Sequence, residues 1–127
     1  MANGTKLNLK FLFTKKGRLK RSDFWKYMGC TYFLSYIFGY IGVACLAQLN
    51  ISTKSLDFIL SPMLILLTIF WITVNIRRWH DRNKSGWWVL LALIPIIGGI
   101  LTIIELGFLK GTNGPNRFGD DPLSPGS

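Results

Sequence analysis

Residues 71–88 read WITVNIRRWHDRNKSGWW, a basic and aromatic segment set between two apolar runs, each long enough to cross a bilayer. Arg77, Arg78, Arg82 and Lys84 cannot rest in hydrocarbon, where each charge at the centre of a spanning helix costs at least about 2.5 kcal/mol, so they mark a membrane surface between two spans. Upstream, residues 58–76 form one apolar run, and downstream residues 87–109 form another. A third, residues 28–49, precedes both. As a helix it would be about 33 Å long, enough for a hydrocarbon core of about 30 Å. Its 22 uninterrupted residues exceed the apolar stretch of a signal peptide, and Gly42 stands where a lipoprotein signal ahead of Cys45 would carry a branched aliphatic residue, so the run reads as an uncleaved span.

Composition agrees with a bilayer as solvent. Half of the 127 residues are hydrophobic and mean hydropathy is +0.33, yet only 17% are charged and the formal net charge is +9. The basic groups therefore bracket the apolar runs instead of spreading over a water-facing surface, which argues for anionic lipid as partner and against nucleic acid. Cys30 and Cys45 lie fifteen residues apart on one helix, about 22 Å, too far for a disulfide.

The expected fold is an all-α membrane protein, a single domain built as a compact bundle of three transmembrane helices. Residues 1–26 form a basic tail in which Leu7, Leu9, Phe11 and Phe13 alternate as in a short strand or an amphipathic segment; residues 110–127 form a Gly- and Pro-rich tail. Ser22 reads as an N-cap with Asp23 in the first turn. In the first span Thr31, Ser35, Gly39, Val43 and Ala47 recur every fourth residue as a small-residue stripe for close helix approach, beside Tyr32, Tyr36 and Tyr40. Ser61, Thr68 and Asn75 share a face of the second span, with Pro62 in its first turn, and Pro95, Gly98, Thr102 and Glu105 share a face of the third. A straight crossing by the third run is the leading expectation; the alternative is a re-entrant hairpin broken at residues 95–99, which would return the C-terminus to the side it came from.

Orientation follows from basic residues in the flanks: eight before the first span, one in the connector, four in the second loop, two in the C-terminal tail. The positive-inside rule puts the N-terminus and the 77–84 loop in the cytoplasm.

A single histidine and the absence of a nucleophile motif, a phosphate loop or paired intramembrane carboxylates leave no ground for an enzyme, a cofactor or a metal centre. Residues 77–82 carry two readings. In one the basic residues only set topology; in the other, guanidiniums of Arg77, Arg78 and Arg82, joined by Arg18 and Arg21, converge on a phosphate headgroup while Asp81 orients His80 or an arginine. Glu105, the one carboxylate inside an apolar run, is a candidate intramembrane acid or an interfacial partner for Lys110. The expected function is a non-enzymatic inner-membrane bundle offering a cationic cytoplasmic surface to anionic lipid or an acidic partner, with homo-oligomerisation allowed; the alternative is a subunit of an oligomeric pore or transporter lined by Ser61, Thr68, Asn75 and the face from Pro95 to Glu105.

Taken together, Gly17-Arg18-Leu19-Lys20-Arg21 before Phe24-Trp25, Arg77-Arg78-Trp79-His80-Asp81 leading to Ser85-Gly86-Trp87-Trp88, Ile94-Pro95-Ile96-Ile97-Gly98, and Gly111, Gly114, Asn116-Arg117-Phe118-Gly119 and Asp121-Pro122 resemble the Domain of Unknown Function 805 family over residues 13–122. Asp120 is a departure, since relatives often carry a single uncharged residue there. The resemblance implies a multi-pass bacterial inner-membrane protein of few spans and implies no activity.

Overall fold

The computed structural model describes residues 17–49 and 52–124. The alternating Leu7 to Phe13 stretch lies outside them. Two helices of 29 residues dominate, α1 (Arg21–Leu49) and α2 (Thr53–Asp81), followed by a 3-10 helix (Gly86–Leu93), a short helix α3 (Ile97–Ile103) and a π-helical turn (Ile104–Phe108). Among the described residues there is no strand, only an isolated bridge between Asn116 and Gly119.

Both long helices reach past their apolar cores into charged sequence. α1 starts at Arg21, one residue before the expected cap, so Ser22 and Asp23 sit within its first turn. α2 is capped by Ser52, whose hydroxyl accepts from the Ser55 N–H, and Pro62 lies in its interior rather than its first turn. At its other end Arg77–Asp81, expected in a loop, is helix, closed by Asn83 at φ 56 with the Lys84 N–H returning to the Trp79 carbonyl. Asparagine tolerates this left-handed position, and the reversal satisfies carbonyls that a helix end leaves open.

α1 and α2 run antiparallel. Tyr27 meets Phe70 edge-on at 5.9 Å, the Asn75 amide reaches the Met28 sulfur at 3.9 Å, and Gly42 faces Leu56 and Leu60. Phe24, Met28, Thr31 and Gly42 are buried along this seam and Ser35 partly so, a spacing of three and four. The expected every-fourth stripe holds only at Thr31 and Ser35, because a four-residue step advances 400° and rotates the row by about 40° each time. By Gly39 and Val43 it faces outward. Only 11% of the apolar stretch of α1 and 17% of that of α2 is buried, so these are not core helices of a water-soluble domain; both are long and apolar enough to cross a bilayer.

The third apolar run differs from the straight crossing. Its start packs on the end of α2, with Trp88 5.7 Å from Trp79 and Gly86 against Ile76. Its finish returns to the same place, where the Leu106 carbonyl meets Arg78. Between them the chain reverses at Ile96, whose φ of 62° and ψ of −66°, with the Ile97 N–H donating to the Pro95 carbonyl at 2.7 Å, make a γ-turn of the rare, strained kind. Pro95 cannot donate to a continuing helix, and Gly98 lets the returning limb lie directly on the Leu91 carbonyl, where a Cβ would collide. The run is a hairpin packed against the ends of α1 and α2 nearest the basic residues, the shape of the second alternative and not of the straight crossing. Gly98, Thr102 and Leu106 are buried on its inner side, while Pro95 is exposed at the tip. The core gathers Leu19, Phe24, Met28, Val74, Trp79 and Leu106 at this same end.

Candidate functional site

A helix leaves its last carbonyls without intrahelical partners. Here five consecutive carbonyls closing the hairpin each receive a side-chain donor from α1 or from the end of α2. Arg78 Nε donates to Leu106 at 2.7 Å, Trp25 Nε1 to Gly107 at 3.2 Å, Arg21 Nη1 to Phe108 at 3.0 Å, Arg78 Nη2 to Leu109 at 2.6 Å, and Arg82 Nη1 to Lys110. Cations also suit the negative end of a helix dipole. Gly107 is required in this row, because a Cβ there would come within 2.5 Å of the Trp25 ring.

Asp81 stands at the centre. Its carboxylate accepts from Arg18 Nε at 3.0 Å and pairs with Arg78, and its backbone carbonyl accepts from the Thr112 N–H at 2.9 Å and hydroxyl at 3.1 Å. Arg18 also donates to the carbonyls of Thr112 and Gly114, and Arg78 Nη1 to that of Leu19 at 3.3 Å. The side chains of Arg18, Arg78 and Asp81 are 1%, 0% and 5% exposed. Each charge is therefore paired within the fold, as burial demands. The segment before α1, the end of α2 and the C-terminal tail meet on one carboxylate. Gly111 passes so close to it that a side chain would occupy the position of the Asp81 carboxyl.

Around this hub lie weaker ties. Glu105 bridges Arg82 Nε at 3.3 Å and Lys84 Nζ at 3.0 Å, both partly exposed, and Lys84 also lies 4.7 Å over the Trp88 ring. Glu105 thus sits at the basic end, level with the 77–84 segment rather than at a far interface. His80 stacks on Phe118 with centroids 3.9 Å apart and its Nδ1 is 3.3 Å from the Gly17 carbonyl, where Gly17 takes φ +87°. Asn116 links the His80 carbonyl, the Thr112 hydroxyl and, through its own carbonyl oxygen, the Phe118 N–H. Asp121 accepts from the N–H groups of Leu123 and Gly114, and these bonds, with Arg18 and Lys110 nearby, hold its carboxyl below the usual carboxylate range.

The structure brings together Arg18, Arg21, Arg78, Asp81, Arg82 and Glu105, with His80 alongside and Arg77 buried on the same turns of α2. Asp81 orients two arginines and does not contact His80, which points to the tail. Asn75 is fully buried between α1 and α2, whereas Ser61 and Thr68 lie on the exposed side of α2 and the Thr68 hydroxyl returns to its own helix at the Leu64 carbonyl. The sequence reading gives no role in the site to Trp25, Gly107, Gly111, Thr112, Asn116 or Asp121, and gives Lys84 only a topological one. Several of them were visible as motif residues, but their partners are mostly backbone carbonyls, which leave no mark in a sequence.

Comparison with known proteins gives these positions a family. Residues 12–120 match the family described as "Protein of unknown function (DUF805)". The chain is 34% identical to the Escherichia coli K12 "Inner membrane protein YhaH" over 108 residues, covering 84% of this chain and 85% of that protein. It is 30% identical to the "Inner membrane protein YhaI" of the same organism over 106 residues, covering 84% and 83%, and 26% identical to its "Uncharacterized protein YiiR" over 137 residues, covering 87% of each. No solved structure gives a significant match. With nearly the whole described chain inside the matched span, and relatives named for the inner membrane aligned along most of their length, this protein belongs to the DUF805 family.

Proposed function

We propose that the chain is a non-enzymatic inner-membrane protein whose polar segments lie together on the cytoplasmic side and present a cationic surface to anionic lipid. The observation that carries this reading is the meeting of three segments on Asp81, because those segments, the turn that follows α2 and the first two turns of α1 together hold fourteen of the fifteen Lys and Arg residues and only Lys54 lies in the connector. Such an imbalance is what the positive-inside rule associates with the cytoplasm. The buried arginines are the frame of this surface and not its face. Arg18 and Arg78 spend their donors on carbonyls and on Asp81, while Arg21, Lys26, Lys110 and Arg117 are exposed and Lys20 partly so. Each basic group near an anionic leaflet contributes about 1 kcal/mol.

The test is energy transfer from the protein's tryptophans to labelled lipids in mixed phosphatidylglycerol and phosphatidylcholine vesicles. Transfer to the anionic lipid should exceed transfer to the zwitterionic one at low salt and decline towards 1 M, where the screening length falls to about 3 Å. Equal transfer at low salt would contradict the reading. The pore alternative has the exposure of Ser61, Thr68 and Pro95 on its side, but Asn75 is buried between helices and Glu105 is engaged by two cations. Solute flux in vesicles altered by Glu105→Gln would favour it.

A further inference from the structure

We infer that the groove between the first turn of α1 and the C-terminal tail is a discrete site for one anionic phospholipid, its phosphate on Lys20 and Arg21 and its apolar part along Trp25 and Leu123. The inference deepens the proposed function and rests on its reading of this end as the lipid-facing one. The groove encloses about 430 Å³ and is lined by Lys20, Arg21, Ser22, Trp25, Gly107 and Leu123. An adjoining cleft shares Lys20, Arg21 and Leu123 and adds Lys110. The two carboxylates bordering that cleft are already engaged, Asp81 by Arg18 and Arg78, and Asp121 by the N–H groups of Gly114 and Leu123. What the groove offers a ligand is therefore positive charge.

These cations differ from the buried ones. Arg21 spends one N–H on the Phe108 carbonyl, and a guanidinium has five to give. Lys20 has only a long ion pair with Asp23, 3.9 Å, with its side chain 40% exposed. Both can take a phosphate without dismantling the hub.

A lipid, and not a free anion, follows from the wall beside them. Trp25 is 46% exposed, its N–H is tied to the Gly107 carbonyl, and its ring meets the exposed Phe108 edge-on at 6.0 Å. An indole pinned beside cations at the end of an apolar helix suits a molecule that is charged at one end and greasy at the other. A soluble phosphate makes no use of it.

The experiment is native mass spectrometry of the detergent-purified full chain with equimolar phosphatidylglycerol and phosphatidylcholine. The wild-type chain should retain phosphatidylglycerol in preference. K20Q/R21Q should bind it about 30-fold more weakly, near fivefold for each cation removed, and K54Q at the opposite end should match wild type. K20Q alone, which touches neither the hairpin nor the hub, should lose about fivefold and so separates ligand loss from misfolding. Millimolar inorganic phosphate should leave the lipid in place. Undiminished retention by K20Q and K20Q/R21Q, equal retention of phosphatidylcholine, or displacement by inorganic phosphate would each overturn the site. Because this measurement is made in detergent, it can succeed where the vesicle test of the proposed function fails. An intact vesicle preference with unchanged retention by K20Q/R21Q would remove the site alone.

Discussion

Asp81→Asn removes one charge and nearly no volume, so it isolates the contribution of the carboxylate on which three segments meet. The Asp81 side chain is 5% exposed and lies between Arg18 and Arg78, which are 1% and 0% exposed. Its neutralisation leaves the buried Arg78 guanidinium without its carboxylate partner and Arg18 with only the longer pair to Asp121, at 4.0 Å. Removing one partner from a buried pair costs about 3–5 kcal/mol. Arg78 keeps the carbonyls of Leu19, Leu106 and Leu109, and Arg18 keeps those of Thr112 and Gly114, so the low end applies, about 3 kcal/mol or roughly 150-fold in the folding equilibrium. Denaturant unfolding in micelles, followed by tryptophan fluorescence, reads this directly. A cycle with Arg18→Gln should be strongly non-additive, the double variant falling well short of the summed losses. Limited proteolysis should also find the tail beyond Lys110 newly open. An Asp81→Asn chain within about 0.5 kcal/mol of wild type, with its tail still protected, would refute the reasoning.

Gly111→Ala should mimic that loss from the other side, since its Cβ would fall on the Asp81 carboxyl; overpacking of this kind costs about 1–3 kcal/mol, seen as a lower unfolding midpoint and a protease-sensitive tail. Ile96→Gly should raise the unfolding midpoint, because the γ-turn holds a β-branched residue at φ 62°, a strain of about 1–3 kcal/mol that glycine relieves and its greater unfolded-state entropy only partly cancels. Tail docking should depend on acid in a defined direction. Since the folded Asp121 carboxyl titrates below its unfolded counterpart, its contribution is complete above the ordinary carboxylate range and is lost as pH falls through the depressed folded value. Proteolysis of the tail by an acid-active protease should therefore rise at strongly acidic pH in wild type, and Asp121→Asn should flatten that part of the profile.

The two long helices were legible because a run of twenty or so apolar residues admits few other structures, and the charges at their ends fix the level of the surface. The side-chain stripes were less legible. A row drawn every fourth residue is correct over two turns, which is why Thr31 and Ser35 lie on the seam while Gly39 and Val43 have rotated away from it. Residues 95–99 are compatible with both a straight crossing and a hairpin; what selects the hairpin is the γ-turn at Ile96 and the contact of Gly98 with the Leu91 carbonyl, neither of which has a periodic signature. The arginine density exceeds what topology needs, and the sequence reading sent that excess to a phosphate headgroup, whereas within the fold Arg18, Arg78 and Arg82 are engaged by the chain itself. Their main acceptors are the chain's own carbonyls at Leu19 and from Leu106 to Gly114, which composition cannot reveal.

The central claim is that the third apolar run enters the membrane and leaves on the same side. Fusing a reporter after Ser127 tests it most directly, using green fluorescent protein, which fluoresces only in the cytoplasm, and alkaline phosphatase, which is active only outside it. The hairpin predicts a fluorescent fusion and an inactive phosphatase, matching the side of the N-terminus. An active phosphatase with a dark fluorescent fusion, while the N-terminus is cytoplasmic, would mean that the run crosses and that the meeting of the three segments on Asp81 does not occur.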